Sequence, residues 1–268
     1  MIRRPIQAAT AMALGLCSVV LLLLAYTWLA HRQKQINPTD TTIPTWSQLA
    51  VGVQQLSLPN HRTGERWLWE DLKASGGRLG LGLGTGVVGG ILLGMLMGCL
   101  RPAEAFFHPP LAFLSQVPPT AALAVFFVLA GTGQFMYVSM IAVGILPALA
   151  MTVFIAVKEF PEELQYKAYT LGASHLEVVW NIISRQVFPR LIDAVRLSIG
   201  PALVYLIAAE MVVGDVGFGY RIRLQSKLLN MSVVYPYLAL LAGFGFFADW
   251  VLSRLRQRWC PWAEGGRG

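Results

Sequence analysis

The side chains that most often carry enzymatic chemistry are spread along this 268-residue sequence without a catalytic pattern. The sequence contains no Gly-x-x-x-x-Gly-Lys-Ser/Thr motif, so no P-loop is present to bind the phosphates of ATP. The three cysteines are widely separated, which is more typical of packing residues than of a disulfide or a metal site. The histidines share no metal-ligand spacing; they are His31, His61, His108 and His175. We therefore expect no catalysis and no bound metal in this chain.

One glycine-rich segment, Gly84-Thr85-Gly86-Val87-Val88-Gly89, formally matches the dinucleotide-binding fingerprint. That fingerprint follows a β-strand, and no strand pattern precedes it here. Glycines instead recur every four residues, so they would form a stripe on one face of a helix and let a second helix approach closely. The stripe comprises Gly82, Gly86, Gly90, Gly94 and Gly98. We interpret this segment as a packing helix and not as a nucleotide site.

The composition is that of a membrane protein. Hydrophobic residues make up 55% of the chain and charged residues only 13%, whereas a soluble domain carries about 25% charged residues. The net charge of +7 is not concentrated in a basic cluster with interleaved aromatic residues, so no nucleic-acid partner is expected. Arginine and lysine are also common at the cytoplasmic ends of membrane spans.

Long uncharged segments predict an all-α integral membrane protein with about six transmembrane helices. The predicted spans are 5–30, 79–100, two within 105–157, 190–213 and 228–248. The segment 105–157 is too long for one crossing, and Gly131-Thr132-Gly133-Gln134 should divide it. Short amphipathic helices are expected between the first two spans, one over 46–53 and one over 65–73. Arginines before the first span and after the last place both termini in the cytoplasm.

Prolines inside the third and fourth spans, Pro118-Pro119 and Pro147, should kink or break these helices. A break at membrane depth leaves carbonyl groups that neighbouring protein or a watery cavity must satisfy. Simple kinks within the bundle and the lining of a solute pathway both remain open. The same two roles are open for the polar side chains in the spans, which are Ser115, Gln116, Thr120, Ser139, Ser198 and Tyr205.

Glu210 and Asp215 are the acidic residues of most interest. Thirteen uncharged residues separate Arg196 from Glu210, a helical length of about 20 Å. Because this is shorter than a full crossing, at least one of the two charges is expected near or within the membrane. Such groups usually face the bundle interior or a cavity. Glu210 could act as a pathway or gate residue, form an interhelical pair or serve as an anchor at the membrane interface. Asp215 should begin the turn into an external loop.

Residues 161–190 form a polar segment between apolar runs. Pro161, Glu162 and Glu163 suit the first turn of a helix. Gly172 should end that helix, and Ser174-His175-Leu176-Glu177 has the spacing of a capping box that starts a second one. Its apolar face should consist of Leu176, Val179, Trp180, Ile183 and Val187, and Pro189 should mark its end. Helix, glycine elbow and helix form a compact knob that could grip a partner, although an ordinary amphipathic connector is the alternative.

The window from Tyr166 to Ser174 resembles the cytoplasmic coupling loop of ABC-importer permeases, whose motif runs Glu-Ala-Ala, three residues, Gly-Ala. Ala168 and Gly172-Ala173-Ser174 match it, whereas Tyr166 and Lys167 depart from the first two positions. The resemblance covers roughly residues 65–260 and is to the taurine, sulfonate and nitrate type. The matching segments include Val117-Pro118-Pro119, Ala209-Glu210-Met211 and Gly217-Phe218-Gly219-Tyr220. Leu164–Thr170 and Val212–Gly217 also look like the subgroup associated with urea- or guanidine-degrading carboxylases.

The resemblance implies a fold of the type I ABC-importer kind and a division of the chain. An N-terminal helix with its flanks (1–34) and an external loop (35–77) would precede a permease core (78–260), with the coupling loop at 158–189 and a tail at 261–268. Contact with the ATPase subunit is assigned to Tyr166, Lys167, Ala168, Leu171, Gly172, Ala173, Ser174 and His175. The pathway or its gate is assigned to Gln116, Pro118, Tyr205, Glu210 and Asp215.

The implied function is the permease subunit of an ATP-driven bacterial importer in the inner membrane. It would take a small sulfonate- or nitrate-type anion, or a nitrogen compound similar to urea or guanidine. This chain would need no cofactor, because ATP and Mg²⁺ would bind to a separate cytoplasmic ATPase subunit. A second permease copy and an external solute-binding protein would complete the assembly. The alternatives are a stand-alone secondary transporter or channel, and a membrane enzyme or scaffold. A secondary transporter should show paired broken helices, and an enzyme should show clustered titratable groups. The sequence shows neither feature clearly.

Overall fold

The computed structural model describes residues 7–37, 40–59, 64 and 66–263, and every regular element in these ranges is helical. The helices are α1 (Ala8–Ile36), α2 (Trp46–Ser57), α3 (Trp67–Cys99), α4 (Arg101–Leu114), α5 (Leu123–Ala130), α6 (Gln134–Lys158), α7 (Glu162–Thr170), α8 (His175–Glu177), α9 (Ser184–Val213), α10 (Phe218–Lys227) and α11 (Met231–Trp259). A π-helical segment, Val178–Ile183, joins α8 to α9, and a short 3₁₀ turn, Pro261–Ala263, follows α11.

The chain divides into two compact units. The first comprises Met1–Trp67 and Leu224–Tyr237, and the second comprises Leu68–Arg223 and Leu238–Gly268. In the first unit, α2 lies so close to the start of α11 that a Cβ atom at Gly52 would overlap the Ser232 carbonyl oxygen. The residues that resemble a permease core lie largely in the second unit, which also contains the long packed helices described below.

Five helical stretches in the described part of the chain are long and apolar enough to cross a membrane. They are Ala9–Ile36, Trp67–Cys99, Gln134–Lys158, His175–Val213 and Met231–Trp259. The predicted third span differs, because α4 and α5 are separated by a non-helical segment over residues 115–122. Pro118 and Pro119 lie in that segment and have no backbone N–H to donate to a helix, which explains the interruption.

The second span begins earlier than the sequence pattern indicated. A separate short helix was expected over 65–73, but α3 runs without a break from Trp67 to Cys99. The charged residues of its first turns made this part look like an external loop. Asp71 and Arg78 are instead paired inside the second unit, and the next section describes how.

Helices α3 and α6 run in the same direction and are in close contact along the glycine stripe. A Cβ atom at Gly82, Gly86, Gly90, Gly94 or Gly98 would lie 2.5–2.9 Å from a side-chain carbon of Ile141, Ile145, Leu149, Val153 or Val157, respectively. Real Cβ atoms do not approach other atoms this closely, so only glycine permits this helix separation. The missing side chains let the aliphatic side chains of α6 pack directly on the α3 backbone.

The second helix of the knob does not end at Pro189, contrary to the expectation from the sequence. Residues His175–Val213 form one helical stretch, and Pro189 and Pro201 lie inside α9. A proline removes one backbone hydrogen bond and bends a helix, but membrane helices tolerate it where local π-type adjustments and neighbouring helices compensate. The π-helical turns at Val178–Ile183 lie directly before this region.

Candidate functional site

The glycine elbow of the knob has the hydrogen bonds of a Schellman motif. Gly172 has φ 86°, in the left-handed region that favours glycine. Its amide donates to the carbonyl of Tyr169 (3.0 Å), and the Ala173 amide donates to the carbonyl of Ala168 (3.1 Å). A Cβ atom at Gly172 would meet nothing within 4 Å. The demand for glycine is therefore conformational, and the surface around the elbow is open.

A capping box starts the next helix immediately after the elbow. The Ser174 amide donates to a Glu177 carboxylate oxygen at 2.8 Å, and the Glu177 amide donates to the Ser174 hydroxyl at 3.3 Å. His175 lies beside Tyr169, with 2.9 Å between the ring Nδ1 atom and the phenol oxygen. These contacts join the two sides of the elbow, so α7 and α8 are held at a defined angle.

One side of the knob is fixed to the ends of the membrane helices. Ala168 is buried in a cluster that includes Val157 of α6, Val178 of the π-helical segment and Val187 of α9. Ala173 packs against the same cluster and is half-buried. This cluster therefore connects the elbow with two membrane-spanning helices, α6 and α9.

The opposite side of the knob exposes large apolar side chains. Tyr166 is 62% exposed, Leu171 88%, Leu176 81% and Trp180 77%. The prediction that the second helix has a single apolar face is therefore wrong in part. Val179, Ile183 and Val187 pack inward, whereas Leu176 and Trp180 point outward, because the π-helical turns change the angular spacing of the residues.

Glu210 lies in a buried network with α3. Its carboxylate accepts hydrogen bonds from Arg78 (2.9 Å), from the Ser75 hydroxyl (2.8 and 2.9 Å) and from the Gly219 amide (2.9 Å). The side chain has no exposed surface. Arg78 also donates to the Val216 carbonyl and stacks on Tyr137, with 4.0 Å between the guanidinium and the ring centroid. Glu210 thus forms an interhelical ion pair with Arg78, which is one of the roles that the sequence left open.

A second buried ion pair, Asp71–Arg221, lies beside the first. The Asp71 carboxylate accepts hydrogen bonds from the Arg221 guanidinium at 2.9 and 3.3 Å and from the Gly217 amide at 3.0 Å. Gly217 has φ 121°, and a Cβ atom there would lie 2.5 Å from a Glu210 carboxylate oxygen. The corner between α9 and α10 is therefore fixed on the first turns of α3 by two ion pairs and a close glycine contact.

Asp215 lies at the exposed edge of this network. Its side chain is 90% exposed and lies 3.9 Å from Arg78. Ser75, Arg78, Asp71 and Arg221 were not recognised as functional residues in the sequence. Three of them lie at positions 71, 75 and 78, which share one face of a helix. Continuing the second span back to residue 67 would have revealed that polar face.

Tyr205 lies in a groove between α6 and α9. This α6–α9 groove is formed by Gly144, Ala148 and Thr152 of α6 and by Ser198, Pro201 and Tyr205 of α9, with Ile145, Leu149, Ala194 and Leu197 completing its wall. Its volume is about 150 Å³.

Gln116 and Pro118 lie in the exposed non-helical segment 115–122. A Cβ atom at Gly144 would lie 3.2 Å from the neighbouring Pro119 and 2.6 Å from Tyr205. The segment and the groove are therefore adjacent, whereas Glu210 and Asp215 are not part of the groove.

Known proteins are similar to this chain over most of its length. It is 26% identical over 260 residues to the taurine transport system permease protein TauC of Escherichia coli strain K12. The aligned region covers 97% of this chain and 92% of TauC. It is 28% identical over 195 residues to the putative aliphatic sulfonates transport permease protein SsuC of the same strain, covering 73% of this chain and 74% of SsuC.

Solved structures support the fold. A chain in an inward-facing structure of the MetNI methionine ABC transporter superimposes on this chain with a TM-score of 0.60 and 19% identity. The superposition covers 70% of this chain and 94% of the MetNI chain. The expected all-helical fold of the importer kind is thereby confirmed. The family model for binding-protein-dependent transport system inner membrane components matches residues 86–259. This match spans well over half of the sequence, and the chain belongs to that family of inner membrane components and is a multi-pass permease subunit of an ABC importer.

Proposed function

We propose that this permease subunit couples a separate cytoplasmic ATPase to a solute pathway through the knob formed by α7, Gly172, α8 and the π-helical segment. The observation that carries the proposal is the two-sided character of the knob. One side exposes Leu171, Leu176 and Trp180, and the other packs Ala168 and Val178 against the ends of α6 and α9. Exposed apolar side chains of this size are typical of protein–protein contacts. The inward side gives the movement of a docked partner a route into the membrane helices.

The predicted contact residues have different parts in this proposal. Tyr166, Lys167, Leu171, Gly172, Ser174 and His175 are exposed and available to the ATPase subunit. Ala168 and Ala173 connect the elbow to the core beneath it. ATP and Mg²⁺ would bind to the ATPase subunit, so this chain would contribute no hydrolytic group and need no cofactor.

The same proposal also predicts which end of the protein faces the cytoplasm. The stacking of Phe188 on Trp259 places the last turn of α11 at the end of the second unit that bears the knob. This last turn carries Arg256 and Arg258, and the positive-inside rule assigns such an end to the cytoplasm. The knob would therefore face the ATPase, both termini would be cytoplasmic, and an external solute-binding protein would dock on the opposite side. A second copy of this chain would complete the pathway.

A small sulfonate-type solute is the class that we propose for transport. TauC and SsuC are named for taurine and for aliphatic sulfonates. The Glu210 carboxylate faces Arg78 and has no exposed surface, so it offers no free negative charge to a cationic solute. A urea- or guanidine-like nitrogen compound remains the alternative from the sequence resemblance, and direct binding measurements on the partner solute-binding protein distinguish the two classes.

The test of the proposed function is purification of the affinity-tagged full chain from membranes of its own host in mild detergent. We expect a second subunit to co-purify and to hydrolyse ATP, with inhibition by orthovanadate. A well-folded chain that purifies without any ATP-hydrolysing partner would overturn the coupling proposal. That result would support a stand-alone transporter, although the family match argues against this class.

A further inference from the structure

Two cavities of opposite character open on the second unit. A cavity of about 260 Å³ between α3, α9 and α11 is lined mainly by leucine, including Leu72, Leu206 and Leu240. The α6–α9 groove has glycine, alanine and three hydroxyl side chains in its wall. Lipid tails favour bulky aliphatic side chains, whereas small and hydroxyl residues are typical of helix faces that meet protein or water. The leucine cavity therefore suits the bilayer, and the groove does not.

The interrupted span provides an independent observation. Residues 115–122 are non-helical and mostly exposed in the single chain. Pro119 lies beside Gly144, which is near the middle of the α6 span Gln134–Lys158. Irregular backbone at this depth cannot face lipid, because its polar groups would have no hydrogen-bond partners there. It must be covered by protein or face a watery cavity, and the groove that contains Tyr205 is next to it.

We propose that the α6–α9 groove and residues 115–122 together form one wall of the water-filled solute path, and that Tyr205 contacts the solute there. This inference rests on the proposed function as a permease. It assigns the path to a surface with hydroxyl groups and without charged side chains. Such a wall lets a small polar solute pass without being trapped by an opposite charge.

The hydroxyl groups of the groove define the chemistry of the solute. Thr152 donates its proton to the Ala148 carbonyl at 2.9 Å, and Ser198 donates to the Ala194 carbonyl at 2.9 Å. Their oxygens are left as acceptors for solute N–H or O–H groups. The Tyr205 hydroxyl has no hydrogen-bond partner among the residues that the structure describes, so its proton is available to an acceptor. The groove therefore suits a small solute that carries both donors and acceptors, such as an amino sulfonate.

Cysteine labelling tests the water-filled wall without knowledge of the solute. The native residues Cys17, Cys99 and Cys260 are first replaced by alanine, and Ala148→Cys and Gln116→Cys are then introduced singly. Leu240→Cys in the leucine cavity is the matched control. Each full-length variant, in its assembled transporter in membrane vesicles, is treated with the charged reagent 2-sulfonatoethyl methanethiosulfonate. The reagent reacts with the thiolate, which forms in water and is suppressed in an apolar environment.

We expect the cysteines at positions 116 and 148 to react at least about tenfold faster than the cysteine at position 240, because only they contact water. Equal rates at all three positions would overturn the proposal. Unreactive groove cysteines that form a disulfide between two copies when a mild oxidant is added would also overturn it, because the groove would then be a dry dimer contact. Vanadate-sensitive ATP hydrolysis by the same preparations is measured in parallel. Hydrolysis with unreactive groove cysteines would refute the solute path alone and leave the coupling proposal intact.

Discussion

Arg78 on α3 and Glu210 near the end of α9 form a buried ion pair with 2.9 Å between nitrogen and oxygen. Each partner has further hydrogen bonds, so the pair connects three elements: α3, α9 and the corner that leads into α10. The corner lies at the end of α9 opposite the knob, so the pair attaches that end of α9 to α3.

Neutralising one partner of this pair should be costly. Glu210→Gln leaves the Arg78 guanidinium buried beside an uncharged amide, and we expect a loss of about 3–5 kcal/mol of stability. Asp249→Asn is the matched control. It weakens an ion pair with Arg196 in which the Asp249 side chain is 48% exposed, so a much smaller loss of stability is expected. Thermal unfolding in detergent measures both, and equal melting temperatures for the two variants would contradict the structural role of Glu210.

The glycine stripe predicts a sharp contrast between two similar substitutions. In Gly94→Ala the new methyl group would lie 2.6 Å from the Ala150 carbonyl oxygen and from Val153, so α3 and α6 must separate. A cost of about 1–3 kcal/mol is expected from such overpacking. Gly84→Ala meets nothing within 4 Å and should be neutral or stabilising by up to about 1 kcal/mol through helix propensity. Melting temperatures in detergent check the order of the two variants, and a reversed order would show that the helices do not pack as described.

The Tyr205 hydroxyl should influence transport more than assembly. Tyr205→Phe removes the available donor in the α6–α9 groove and keeps the ring that packs on Gly144. Loss of one hydrogen bond of about 1 kcal/mol predicts an increase in the KM for uptake of roughly fivefold. Tyr235→Phe, a half-buried tyrosine on α11 outside the groove, is the control. Uptake of radiolabelled taurine, or of the solute that the partner binding protein is found to hold, provides the measurement. An unchanged KM in Tyr205→Phe would argue against solute contact.

Exposed aromatic side chains of the knob should become protected in the assembled transporter. Tyr166 and Trp180 are 62% and 77% exposed in this chain, and a docked ATPase subunit would cover them. Hydroxyl-radical footprinting of the chain alone and of the complex compares their oxidation. Trp69 near the start of α3, at the end opposite the knob, is 56% exposed and should be oxidised equally in both samples. Oxidation of Tyr166 and Trp180 that is insensitive to the ATPase would place the contact elsewhere.

Local sequence patterns predicted the elbow well, because its determinants are short-range. The left-handed Gly172, the Ser174–Glu177 capping box and the glycine repeat of α3 each depend on residues only a few positions apart. Pro118 and Pro119 also interrupt their helix as expected. These features require no knowledge of which helices are neighbours.

Features that depend on neighbouring helices were missed. Asp71 and Arg78 resembled the charged face of an external helix, because their partners Arg221 and Glu210 lie more than a hundred residues away in the sequence. The outward position of Leu176 and Trp180 depends on the π-helical turns, and no residue type signals these in advance. Pro189 alone predicts a helix end, whereas Val187 and Leu191 pack in the core beneath the knob and the helix continues through it.

Co-purification of the ATPase subunit with three forms of the tagged chain tests the coupling account most directly. Asp and Asn have similar shapes, and both tolerate left-handed backbone better than other non-glycine residues. Gly172→Asp and Gly172→Asn therefore differ chiefly in the charge placed at the open elbow. We expect wild type and Gly172→Asn to retain the ATPase and Gly172→Asp to lose it, with equal amounts of each chain in the membrane. Retention of the ATPase and of normal uptake by Gly172→Asp would contradict coupling through this elbow.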